Sequence, residues 1–199
     1  MKIPALTLHE PWATWIAVGL KTIETRTHDR YKSLIGKQIA IHAGQRFDKG
    51  AIKTAHDALL PDASYNHHSP TIETAIELLS KLIAAARNPR HGHVVCMSHI
   101  WATRWLSRDD SPDALIDCTP QNAGSRECVK RFGFFLGETE RVLDPTVYKG
   151  HQGIWTWTPR SAAQINAAKR IPRALAEPDN RSRRRRNHYG GHPTPKGLS

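Results

Sequence analysis

An α+β fold is predicted for this chain: a small curled sheet or barrel of about six short strands with two or three flanking helices. Three observations carry that expectation. Short runs rich in Val, Ile, Thr, Phe and Trp recur along the chain, separated by Gly and Pro. One long segment has helical apolar spacing, and two shorter ones resemble it. The 199 residues suffice for one domain with a real core, while a hydrophobic fraction of 39% is lean enough that part of the chain should stay outside it.

The elements follow in order. Ile3 to Leu8 alternates as a strand, with Ile3 and Ala5 on one side. His9-Glu10-Pro11 breaks it, and Pro11 suits the first turn of a helix because its missing N–H would be unpaired there. That helix runs from Trp12 to Val18, with Trp15 and Ile16 as core and Gly19 as its C-cap. Thr22 to Thr27 is β-branched with alternating charge, a strand with one polar face. Residues 31–36 form a loop, and Gln38 to Ala43 is a strand ended by Gly44. A short helix fits residues 50–60, and a turn-rich loop fits 61–68. Ser69-Pro70 then caps a helix over 70–87 whose Ile72, Ile76, Leu79 and Ile83 form one stripe. His93 to Leu106 is a central strand, and residues 108–128 are irregular. FGFFLG and ETERVL are two further strand-like pieces. A Gly150–Gly153 turn, read as a hairpin connector, leads into the closing strand Ile154–Thr158.

The domain is expected to span residues 1–160. Residues 161–199 form a basic, mostly disordered tail, since no apolar periodicity lasts beyond Arg160. The net charge of +11 points to a polyanionic partner, and its distribution sharpens this. Residues 160–199 hold ten Lys or Arg against two acids, whereas residues 1–159 hold nineteen against sixteen. Arg181, Arg183, Arg184, Arg185 and Arg186 are candidate nucleic-acid contacts, the alternative being a solubilising terminus.

No run of 18 apolar residues exists and the N-terminus lacks a signal-peptide pattern, so a cytoplasmic protein without membrane contact is expected. Cys96, Cys118 and Cys128 are an odd set without CxxC spacing and read as reduced thiols. His91, His93, Cys96 and His99 cluster in sequence, but strand alternation turns Cys96 away from the histidines. No metal and no cofactor is expected.

The most informative stretch is GLKTIETR, residues 19–26. Alternation puts Thr22, Glu24 and Arg26 on one strand face. Lys21, at the helix-to-strand turn, can swing to the same side. A Lys, a carboxylate and an Arg so close can hold a ligand edge carrying both donors and acceptors. An ordinary solvated strand face has the same pattern.

This stretch resembles the GxKxxExR signature of the ASCH domain, a family related to the PUA-like β-barrels. Leu8-His9-Glu10-Pro11-Trp12-Ala13 is similar to that family's LHxPWA opening. Residues 92–96, 132–135 and 149–155 resemble its central strand and its last two blocks, so the likeness covers roughly residues 3–158 in order. The resemblance implies a PUA-like pseudo-barrel with a cleft beside the first helix, in a family thought to bind RNA or modified nucleosides. Carried over, Lys21, Glu24 and Arg26 line the cleft, with Trp12 as its wall or as simple core packing.

The expected function is therefore recognition of a base or modified nucleoside in RNA, with an aromatic ring to stack on it. Lys149 and Gln152, beside backbone N–H groups of the glycine turn, are further candidate phosphate contacts. The alternative is a metal-independent hydrolase, acting on N4-acetylcytidine or cleaving RNA, with Lys21 and Glu24 as catalytic residues. That branch of the family carries a Thr where this chain has Glu24. Thr22 and Thr25 flank that position, but a shift of one residue turns a side chain to the opposite strand face, so the expected nucleophile is missing. A protein-interaction adaptor is the third reading.

Overall fold

The first strand forms where its alternation puts it and runs two residues further, as β1 (Ile3–Glu10). The computed structural model describes residues 1–60, 70–116, 118, 131–144 and 146–171. After a cis Glu10–Pro11 bond comes α1 (Trp12–Ala17), with Gly19 at φ +76° closing it in the left-handed region that glycine enters freely. Next come β2 (Ile23–Arg26), a 3-10 turn (Lys32–Leu34) and β3 (Gln38–Phe47). The helices α2 (Ala51–Leu59) and α3 (Ile72–Ala86) lead to the long β4 (Val94–Trp105). A 3-10 turn (Arg108–Asp110) and α4 (Ser111–Ala114) precede β5 (Phe132–Leu136) and β6 (Glu140–Arg141). The chain then forms β7 (Ile154–Trp157) and α5 (Ala162–Arg170).

The result is α+β with one mixed seven-stranded sheet, ordered β2-β5-β4-β3-β1-β7 with β6 beside β4. β1 pairs in parallel with β3 and antiparallel with β7, and the remaining pairings are antiparallel. The sheet is open, because its end strands β2 and β7 do not pair. Yet Glu24 of β2, Leu6 of β1 and Ile154 of β7 line one small hollow together with Phe134 and Ile41, so both end strands border it.

Four apolar clusters hold this together. Leu6, Leu8, Ile39, Ile41, Phe132, Phe134 and α1 residues fill the concave side. Ile3, Ala40, Met97 and Trp157 meet α5 on the other side. β1 thus buries residues on both of its faces. Trp15 packs against α2 and α3, and its Nε1 donates to the Leu82 carbonyl at 2.9 Å. Ile23 and Phe135 pack under Ala114 and Cys118.

Several expectations need correction. β3 does not stop at Gly44 but continues to Phe47, because a glycine there lets the backbone of Leu8 approach to 3.1 Å of where a Cβ would sit. Of the α3 stripe only Leu79 is buried: Ile72, Ile76 and Ile83 are 67%, 55% and 42% exposed, and Ala75 and Leu82 join Leu79 in the core. Both sets satisfy helical spacing. The small Ala75 wins because it packs against Ala51 and Ala55 of α2. ETERVL yields only the two-residue β6. The Gly150–Gly153 turn is no hairpin connector, since β7 pairs with β1 alone.

The fold also extends past Arg160. Ser161 caps α5 by accepting from the Gln164 N–H at 3.2 Å, and Ala167, Ala168 and Ile171 join the core. Gln164 is buried, donating to Asp144 at 2.8 Å and accepting from Tyr148 at 2.8 Å. Hydrogen bonds from Ser161 and Thr146 hold the Asp144 carboxyl down at about 2. No helix of the described residues is long and apolar enough to cross a membrane.

Candidate functional site

Lys21 is where the local chain geometry and the tertiary fold meet. The α1 C-cap turns the chain so that Lys21 precedes β2, and only 3% of the residue remains exposed. Its Nζ donates to the Ile23 and Ala114 carbonyls, each at 2.5 Å. The second carbonyl is available because Leu115 adopts a left-handed conformation (φ 53°, ψ 34°) that ends α4. The segment bearing it is tied down by Thr22 N–H to Asp113 at 3.1 Å and by Cys118 N–H to Ser111 Oγ at 2.9 Å. A bidentate Arg104–Asp110 pair, both contacts 2.6 Å, anchors its start.

Beside Lys21, Glu24 is 5% exposed and accepts from Arg26 at 2.9 Å, the two lying on alternate positions of β2 and hence on one face. Trp12 closes the other side, its ring centroid 5.4 Å from Lys21 Nζ. Trp12 is both wall and core: its ring meets Trp15 edge-on at 4.9 Å, and its Nε1 donates to Asp48 at 2.9 Å. Asp48 in turn accepts from the Gly50 N–H at 2.9 Å, fixing the carboxylate. Burial holds the Lys21 amine down at about 8, against the opposing pull of the Glu24 charge.

These side chains border a cleft of about 270 Å³, lined also by Thr7, His9, Thr25 and Ile116. Thr25 reaches it although alternation turns it away from Glu24, because β2 is an edge strand and the cleft opens around that edge. Behind Lys21 lies a second recess between Gly19, Thr22, Gly137, Thr139 and Arg141, which is poorer in ionic groups. The cleft therefore offers a fixed carboxylate, two cations and an indole face in a partly desolvated place. That set can meet a planar ligand whose edge carries both donors and acceptors.

The structure brings together Trp12, Lys21, Glu24 and Arg26. It does not bring Lys149 and Gln152 to them: both are exposed and neither lines the cleft. The turn carrying them packs through Gly150, where a Cβ would lie 2.5 Å from the His42 ring and 2.7 Å from Thr7 Oγ1. Arg181, Arg183, Arg184, Arg185 and Arg186 lie outside the described residues. Asp48, Thr7, His9 and the Ala114 carbonyl escape sequence reasoning. Nothing linear ties Asp48 to Trp12.

His42 is 2% exposed and bonded through Nε2 to the Tyr148 carbonyl at 3.1 Å, and it does not line the cleft. His91 and His93 each bond a backbone carbonyl through Nδ1 at 2.8 Å, and burial pushes the Cys96 thiol up. Among the described residues no three His, Cys, Asp or Glu side chains group as a metal site requires. Scanned against models of known protein families the chain matches none, and no curated protein matches it.

Proposed function

We propose that the protein is an ASCH-type, PUA-like domain that recognises a base or modified nucleoside in RNA. The single observation that carries this is the convergence of Trp12, Lys21, Glu24 and Arg26 on one cleft. The GLKTIETR and LHEPWA segments, which carry the sequence resemblance, supply most of its lining, with Thr7, Asp48, Ala114 and Ile116 completing it. In this reading the base slides against the indole face, Glu24 accepts from its N–H groups, and Lys21 donates to its carbonyl. Arg26, less buried than Glu24, meets the phosphate. The Arg-dense segment beyond the described residues adds salt-sensitive affinity of no sequence preference.

A test is fluorescence-polarisation binding of a labelled random-sequence RNA of about twelve nucleotides at low salt. Glu24→Ala and Lys21→Ala are each expected to weaken it by about fivefold or more, in the range of about 1–3 kcal/mol for a polar base contact. Binding by both variants at the wild-type level removes the cleft as the site.

One observation favours a second reading, hydrolysis at the same cleft: an amine held at about 8 beside a carboxylate is suited to proton transfer near neutral pH. Incubation with N4-acetylcytidine decides it. Acetate release that is lost in Lys21→Ala supports turnover, and no release at high protein concentration excludes it for that substrate.

A further inference from the structure

Two exposed features of the sheet's rim are unused by the cleft: the indole of Trp105, 48% exposed, and the ammonium of Lys32. Strand register ties both to the cleft. Arg26 of β2 pairs with Phe132 of β5, and Phe132 pairs with Trp105 of β4. Directly paired residues of neighbouring antiparallel strands project from the same face, so Arg26, Phe132 and Trp105 form one row. At about 4.8 Å per strand, the row spans about 10 Å from the cleft's arginine to the exposed indole.

The row has the chemistry of a single-strand track. Phe132 is buried and holds Trp105 edge-on, with centroids 5.2 Å apart at 81°, which fixes one indole while leaving half of its surface open. Lys32 lies over Phe132, its Nζ 5.8 Å from the ring centroid, and so places a cation in the middle of the row. Among the described residues its ionic partner is Asp29 at 2.6 Å, an exposed pair of the kind that contributes little and yields to a phosphate. The chain that leaves β2 is itself basic: residues 26–37 carry Arg26, Arg30, Lys32 and Lys37 against Asp29 alone.

We infer that a single-stranded RNA occupying the cleft continues along this row, its backbone crossing Arg26 and Lys32 and a neighbouring base stacking on Trp105. The inference rests on the cleft reading and adds a second base site to it. Aromatic stacking tolerates any base, so Trp105 supplies affinity for the strand while the cleft supplies the choice of nucleotide. A mononucleotide would engage the cleft and leave Trp105 untouched.

The experiment measures binding of the labelled random-sequence RNA, and competition by a mixture of the four nucleoside 5′-monophosphates, for full-length wild type, Trp105→Ala, Trp105→Phe, Lys32→Glu and Glu24→Ala. The expected result is a loss of about tenfold for the RNA in Trp105→Ala, substantial recovery in Trp105→Phe, and a shallower salt dependence in Lys32→Glu. Mononucleotide competition should be equal in wild type and Trp105→Ala, with matching thermal midpoints excluding a folding defect. If Trp105→Ala binds RNA like wild type while Glu24→Ala is impaired, the track is overturned and the cleft stands. If Glu24→Ala binds RNA like wild type, the cleft reading fails and the track, which starts from it, fails with it.

Discussion

Lys21 shows how an ionisable side chain can be held in place at some expense to the fold. Its charged form is disfavoured by burial, so the folded chain releases that proton near pH 8 while the unfolded chain keeps it to about 10.5. Between those values the unfolded state binds more protons, and stability rises with pH. The expected outcome is a gain on the order of 1–3 kcal/mol for wild type across that window, absent from Lys21→Met. Urea unfolding of both proteins at about pH 7.5 and about pH 9.5 measures it, and equal pH responses would refute the assignment. Lys21, Glu24 and Arg26 were legible in sequence because their placement is local, set by a helix cap and by strand alternation. Asp48 was not legible. Its bond to Trp12 crosses 36 positions and exists only because β3 outruns Gly44 to deliver it.

Among the elements, the turn before β7 makes the most specific claim. Gly150 is required by the His42 ring and the Thr7 hydroxyl lying where a side chain would begin, and Thr7 also accepts from Trp155 Nε1 at 3.1 Å. Gly150→Ala is therefore expected to destabilise by about 1–3 kcal/mol, as overpacking of a close contact does. A chemical denaturation midpoint unchanged from wild type would show that the turn relaxes freely. β4 and β7 were readable because their runs concentrate β-branched and aromatic residues. α5 was not, since the residues it buries are Ala167, Ala168 and Gln164, two of them too small and one too polar to register as a stripe. α3 shows the converse: isoleucines at helical spacing named a face, and the alanine needed for close packing chose another.

For the whole molecule, the described fold continues past Arg160 through α5 to Ile171. Removing residues 161–199 should expose Ile3, Met97 and Trp157 and leave Gln38 without the Ala168 carbonyl it bonds at 2.9 Å. A chain ending at residue 171 should keep its thermal midpoint, whereas one ending at 160 should lose cooperative unfolding or drop by several degrees. Equal midpoints for the two truncations would show that α5 contributes nothing. In RNA binding the chain ending at 171 should show a flatter salt dependence than full length, because Arg181 and Arg183–Arg186 are gone.

The position of β1, between β3 and β7, also has a kinetic consequence. Its partners come from opposite ends of the chain: Ala5 pairs with Ala40 early, but Ile3 waits for Trp157. During synthesis one side of an apolar strand therefore stays an unpaired edge until nearly the whole domain has emerged. Such a sequence-distant closure places folding toward the slow, millisecond-to-second end for domains of this size. The nascent chain, more than the finished protein, is then the species most exposed to aggregation.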